Sequence, residues 1–270
     1  MTILSLIFIF LFGTIIGSFL NVIIYRLNTG RTIAKGRSMC MSCGRNLRWY
    51  ELIPVLSFII QCGKCRRCKS PISCQYPIVE FFIGLVFVLI AFKFLPIIYI
   101  YPYLYVFYVA FFAFIFSLLT VIFVYDLRHK IIPDKLVYTF IILSFVSIFI
   151  NFSAMGPVFI LPDVYSFIAG PIIAIPFILL WYISKGKLMG LGDAKLMLGM
   201  GFLLGLSSGI FAVIVSFWIG TIVSIPLMLL SKSKMNMKTE VPFAPFLIIC
   251  TLITFFFSLD MFSMIRLFSI

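Results

Sequence analysis

Long uninterrupted apolar runs constrain this chain more than any other feature. Eight of them cover about 3–25, 78–95, 103–125, 136–152, 164–183, 194–207, 209–230 and 243–265. Only 11% of the 270 residues are charged, less than half the ~25% of an ordinary soluble domain. Runs of this length and composition predict an all-α polytopic membrane protein of about eight transmembrane helices. The runs at 136–152 and 194–207 are short for a ~20-residue crossing, so their ends are the least defined.

The net charge of +13 invites a nucleic-acid reading, but its placement argues against one. Nineteen of the 21 Lys and Arg fall in the segments 26–77, 126–135, 184–195 and 231–242, leaving Lys93 and Arg266. With the N-terminus outside, those four connections all face the cytoplasm, as the positive-inside rule requires. The charge therefore sets topology, and no nucleic acid is expected as a partner. The first run lacks a basic start and exceeds the ~7–15 residues of a signal-peptide core, so it is expected to be a retained N-out anchor.

Residues 26–77 form the long polar interruption. They hold six of the seven cysteines and ten basic residues. A segment this short builds little core and needs a staple. Two Cys-x-x-Cys pairs about twenty residues apart, Cys40/Cys43 and Cys65/Cys68, have the spacing of a zinc site. A cytoplasmic position disfavours disulfides, and four thiolates leave no open coordination position, so structural Zn2+ is the expected ion. Lys64, Arg66, Arg67 and Lys69 offset the net charge of such a site. Cys62 and Cys74 lie close enough in sequence to compete for it, whereas Cys250 reads as a small core hydrophobe.

The chain has eight acids. Asp126 ends the third run, where the helix macrodipole disfavours an anion; pairing with Arg128 or Lys130 is the plain alternative to a functional role. Asp134 follows Pro133 and reads first as a helix N-cap. Asp193 sits in "GLGD" beside Gly190 and Gly192, which predicts an unwound glycine turn bringing backbone close to a ligand. An ionisable side chain there is a functional-site candidate. Asp126 and Asp193 both fall at cytoplasmic ends of runs, so they can meet at one depth. Two adjacent carboxylates share one proton, which lets one activate water while the other donates to a carbonyl oxygen. His129 reads as a solvated loop residue. The glycines 201, 205 and 209, four apart, predict a packing stripe on one helix.

Five stretches, taken in order, resemble the bacterial type IV prepilin peptidases: "GSFLNVIIYRL" (17–27), the cysteine segment through Tyr-Pro-x-x-Glu (40–80), "DLRHKIIPD" (126–134), "GLGD" (190–193) and "VPFAPFL" (241–247). "CMSC" departs slightly, since the family often has proline after the first cysteine. The resemblance implies Asp126 and Asp193 as the catalytic pair, supported by Gly190 and Gly192. It implies cleavage of a short basic leader after a glycine, on type IV prepilins or pilin-like precursors, at the cytoplasmic face of the bacterial inner membrane. A second activity is implied too, N-methylation of the new terminus from S-adenosylmethionine, linked to the tetracysteine domain. On that reading the chain divides into a first helix (1–25), a cysteine-rich domain (26–77) and a peptidase domain (78–270). Glu51 and Glu80 are candidates for the basic leader or the methyl-transfer site, with interfacial salt bridges as the alternative. The competing readings are a multi-span transporter and a non-catalytic assembly factor, each with a structural zinc loop. A cleaved peptide bond must leave its helix, because helical carbonyls are occupied.

Overall fold

The computed structural model describes residues 3–29, 32, 36–150, 152–153, 156–157, 162–230 and 242–262. The connection 231–241, with Lys232, Lys234, Lys238 and Glu240, lies outside them, as do Arg31, Lys35, the last residues of the final expected run and Arg266. The chain forms two compact units, residues 1–121 and 122–270.

In the first unit, helix α1 (Ile3–Arg26) lies against α3 (Gln75–Lys93). Their backbones nearly touch. A Cβ on Gly13 would fall 2.8 Å from Gly84 Cα, and one on Gly17 would fall 2.7 Å from Glu80 Cα. Lipid supplies no hydrophobic drive between helices, so such glycine seams let dispersion and backbone contacts hold them together. At one end of the seam, buried Asn21 donates to the Tyr76 carbonyl (3.2 Å) and Tyr25 stacks on Tyr76 with centroids 5.0 Å apart. Between these helices the chain forms a 3-10 turn (Trp49–Leu52) and the short helix α2 (Leu56–Ile60). After α3 comes α4 (Leu95–Ile98), then the long α5 (Pro102–His129), whose Tyr108 and Phe112 pack on Phe94 at 5.2 and 5.0 Å.

The second unit holds the end of α5, then α6 (Asp134–Ile148), a two-residue antiparallel pair β1 (Phe152–Ser153) and β2 (Gly156–Pro157), α7 (Val164–Ser184), α8 (Leu191–Leu204), α9 (Leu206–Leu230) and α10 (Ala244–Phe257). Helix α8 is the hub, packed against α6, α7, α9 and α10. Its Leu196, Met197 and Met200 are wholly buried. Its glycines allow this: a Cβ on Gly199 would strike the Phe140 ring at 2.4 Å, and one on Gly201 would meet Gly170 Cα of α7 at 2.6 Å.

Helices occur at all eight expected runs, but among the described residues five are long and apolar enough to cross a membrane: Ile3–Arg26, Gln75–Lys93, Pro102–His129, Val164–Ser184 and Leu206–Pro226. The 15 residues of α6 and the 14 each of α8 and α10 fall short. At 1.5 Å per residue they span roughly 20–23 Å of a ~30 Å hydrocarbon core. The expectation of a single glycine stripe also changes. Gly205 has φ +79° and ends α8, so Gly201 and Gly209 belong to different helices. Their packing role holds, with a Cβ on Gly209 meeting Ile173 at 2.5 Å.

The glycine seam gives the first test. Gly17→Leu must push α1 off α3 and is expected to cost about 1–3 kcal/mol, read as a lowered melting temperature of the purified protein. Ile15→Leu, on the exposed face of α1, should leave it unchanged.

Candidate functional site

The site grows from two helix ends in the second unit. Asp126 lies in the last turn of α5 and is buried. The Lys130 amide donates to its carbonyl (2.8 Å), and Lys130 takes a left-handed φ of 52°, which stops the helix. The chain then passes through Ile131, Ile132 and Pro133 into α6.

Asp193 lies in the first turn of α8. The expected unwound glycine turn is absent at Gly192, because the helix already starts at Leu191. Gly190 is its N-cap, with φ −73° and ψ 144°, ordinary extended backbone that any residue adopts. Space constrains Gly192 instead. A Cβ on Gly192 would press on Ile132 Cβ at 3.0 Å, so the absence of a side chain lets the segment after Asp126 lie directly on the start of α8. A Cβ on Gly190 would make only ordinary contact, 3.5 Å from Asp193 Oδ2.

A second tie holds the same two segments in register. Lys195 Nζ pairs with Asp134 Oδ1 at 2.6 Å and lies 4.8 Å above the Tyr138 ring. This corrects the expectation that Asp134 caps α6. Pro133 is the N-cap, Asp134 is the first helical residue, and its carboxylate reaches across to α8. Asp134 is largely exposed, so the pair adds little stability and mainly fixes alignment. Lys195 and Ile132 were not singled out in the sequence. Only the pairing of a lysine two residues after Asp193 with an acid eight after Asp126 hinted at the tie.

Asp126 and Asp193 thus both belong to the junction that the Ile132–Gly192 and Asp134–Lys195 contacts hold together. Asp126 Oδ2 and Asp193 Oδ1 are both buried without a hydrogen-bond partner among the described residues. Buried polar atoms are nearly always satisfied. These two carboxylate oxygens are exceptions to that rule.

The other two candidate acids are differently used. Glu80 of α3 is buried, and its Oε2 accepts the Val55 N–H at 2.7 Å. Glu51 is buried in an ion pair with Arg45 and accepts the Arg48 N–H at 2.9 Å. Burial by itself would raise its pKa, but the Arg48 amide and Arg45 guanidinium outweigh it and hold Glu51 below its ordinary value. The sequence offers these two acids for the basic leader or the methyl-transfer site, with interfacial salt bridges as the alternative; the structure gives them protein partners within the first unit.

The thiols of Cys40, Cys43, Cys65 and Cys68 all lie within 4.8 Å of one another. Each pair sits on a turn of the same design. Cys40 N–H donates to Arg45 and Cys65 N–H to Ser70, both at 2.9 Å. Gly44 donates back to the Cys40 carbonyl and Lys69 to that of Cys65, again both at 2.9 Å. Gly44 and Lys69 are the left-handed residues of the two turns, at φ 66° and 60°. Cys62 and Cys74 are exposed and outside the group. The amides of Cys43 and Ser42 draw the Cys40 thiol down to about 6. The Arg45 amide also favours a thiolate at Cys43, yet burial and the neighbouring Cys40 and Cys68 thiols push it up to about 11. Four thiolates need a cation to coexist, and this donor set could hold one metal ion.

Comparison with known proteins matches two stretches of the chain. Residues 11–94 match the Bacterial Peptidase A24 N-terminal domain, and residues 113–225 match the Type IV leader peptidase family. A Vibrio cholerae protein named prepilin leader peptidase/N-methyltransferase is 30% identical over 260 residues, covering 90% of this chain and 92% of its own. A Bacillus subtilis protein of the same name is 30% identical over 239 residues, 88% of each chain. A Myxococcus xanthus protein of that name is 47% identical over 81 residues, covering 30% of this chain and 24% of its own length. No solved structure matches the chain.

Metal binding separates the thiols. Titration with Cd2+, read by thiolate-to-metal charge-transfer absorption, should reach one ion per chain. Cys40→Ser and Cys65→Ser should abolish stoichiometric binding, while Cys62→Ser and Cys74→Ser should keep it.

Proposed function

Because the chain belongs to the prepilin leader peptidase/N-methyltransferase family, we propose that it removes the short basic leader of type IV prepilins or pilin-like precursors and methylates the new N-terminus. The observation that carries the peptidase reading is the pair of unpartnered carboxylate oxygens on Asp126 and Asp193. One aspartate is ionised and takes a proton from water. The resulting hydroxide adds to the carbonyl carbon of the scissile bond, and the protonated aspartate donates to the carbonyl oxygen. The tetrahedral adduct then collapses: the C–N bond breaks, the amine takes a proton, and the leader departs as a carboxylate. No covalent enzyme intermediate forms. Cleavage falls after a glycine on the cytoplasmic side, with the N-terminus of the enzyme outside. The short helices α6, α8 and α10 complete eight membrane-associated helices, with α8 lying inside protein rather than lipid.

The ion held by Cys40, Cys43, Cys65 and Cys68 is proposed to be Zn2+ in a structural role, since four thiolates fill a tetrahedral shell. For methylation, S-adenosylmethionine would supply a methyl group to the free amine of the cleaved product, the sulfur leaving as S-adenosylhomocysteine and the amine losing one proton. Residues 26–77 are proposed as the domain associated with that step, and 78–270 as the peptidase domain.

Cleavage by enzyme in proteoliposomes, followed as a gel shift of a prepilin, tests the dyad. Asp126→Asn and Asp193→Asn are each expected to slow cleavage by about 10²–10⁴-fold or more, while melting temperature and methylation of a pre-cleaved substrate persist. Cleavage at near wild-type rate by either variant would remove that residue from the mechanism. Helix-favouring substitutions around the scissile bond of the substrate should slow cleavage as well, because the bond must unwind before attack.

A further inference from the structure

The segment between Trp49 and Ile60 carries an apolar surface that its own unit leaves open. Trp49 is 77% exposed, Leu56 54%, Ile59 62% and Ile60 68%, and Leu52 and Ile53 are exposed beside them. Leu56, Ile59 and Ile60 lie one helical turn apart and so share a face of α2. Phe58 takes another direction, its ring 3.0 Å from where a Gly63 Cβ would stand. An apolar group this dense needs a covering.

The height of the segment identifies that covering. The stacked Tyr25 and Tyr76 sit where α1 ends and α3 begins, the position of aromatic belts at a membrane surface. Glu80 lies four residues further into α3, about 6 Å deeper along the helix. Its Oε2 holds the amide of Val55 at 2.7 Å. Val55 has φ 60° and ψ −54°, a strained conformation for a β-branched residue, and it directly precedes α2. A charged group in a membrane helix is thus spent on holding a strained loop residue down beside the spans. Because helix side chains lean toward the helix N-terminus, the Glu80 carboxylate holds Val55, and α2 directly after it, close to the level of the Tyr25–Tyr76 belt. Around the apolar face stand cations: Arg48, bonded to the Tyr50 hydroxyl at 3.1 Å, and Arg66, 5.1 Å above the Tyr50 ring. Apolar residues dipping into the acyl boundary with cations above them match the pattern of an interfacial helix on an anionic surface.

We propose that Trp49–Ile60 is a membrane-inserted foot, which seats the cysteine-rich loop on the bilayer surface beside α1 and α3. Its apolar side chains occupy the headgroup–acyl boundary, and the Glu80–Val55 hydrogen bond sets their depth.

The full chain with Trp181→Phe and Trp218→Phe leaves Trp49 as the sole indole. In nanodiscs its emission should be blue-shifted and should lose most of its intensity when the lipids are brominated near the headgroup. Emission like that of indole in water, unaffected by brominated lipid, would overturn the proposal. So would blue-shifted emission that brominated lipid does not quench, since a protein partner or second copy would then cover the face. If the double variant does not fold, the wild-type chain in vesicles with a photoactivatable lipid answers the same question. Adducts on peptides containing residues 52–60 are expected; adducts confined to the five long helices would overturn the assignment. Ile59→Asp with Ile60→Asp should lower the adduct yield on that segment while Cd2+ stoichiometry stays at one.

Discussion

A buried carboxylate must be satisfied or it must be used, and this protein sorts its acids by that rule. Glu51 has an arginine and a backbone amide; Glu80 has the amide of Val55. Asp126 and Asp193 each keep a buried oxygen without a partner among the described residues. The first two carboxylates hold the cysteine-rich loop together and tie it to α3. The second two keep hydrogen-bonding capacity, which the proposed function assigns to water and a carbonyl. The same chemical group is therefore a structural tie in the first unit and under-satisfied in the second, and the difference lies in which donors the fold provides.

Arrangement of the second unit follows from keeping those two carboxylates together. Helix α8 is surrounded by four other helices, which removes its lower turns from lipid and lets it be short. Its start is pinned twice to the segment after Asp126, by Ile132 against Gly192 and by Lys195 across to Asp134. Both contacts depend on small or flexible groups at fixed spacing: no side chain at 192, a long cation at 195. The proposed dyad needs its two members held near one substrate, and these contacts on both sides of the junction limit their relative movement.

Much of this was legible in the sequence because it rests on local spacing. Paired Cys-x-x-Cys turns make Cys40, Cys43, Cys65 and Cys68 the natural group from spacing, but Cys62-Gly-Lys-Cys65 has the same spacing, and only the fold places Cys62 and Cys74 outside the group. The rarity of acids made Asp126 and Asp193 conspicuous. Contacts between distant segments were hidden. Asp134 looks like a helix cap because proline followed by an acid usually is one, and only the fold shows Lys195 within reach. Gly205 looks like part of a stripe, but a positive φ cannot be read from spacing. Gly13, Gly17 and Gly84 are the tightest contact in the first unit, yet in an apolar run they resemble any small residue. Helix length misled in the same way: α8 is apolar because it is buried in protein, and composition does not distinguish a protein interior from lipid.

One consequence follows from where the aspartates lie. Asp126 is in the last turn of one helix and Asp193 in the first turn of another, so the pair belongs to helix ends and its height is fixed by the scaffold. A site of fixed height acts as a ruler. For a substrate anchored by its own apolar helix, the bond presented to the dyad is chosen by its distance from that anchor. One residue added between anchor and bond shifts the bond by about 1.5 Å in a helix or ~3.3 Å in an extended strand. Either step is large against the tolerance of a proton transfer, so register alone can select one peptide bond without any pocket that recognises its side chains.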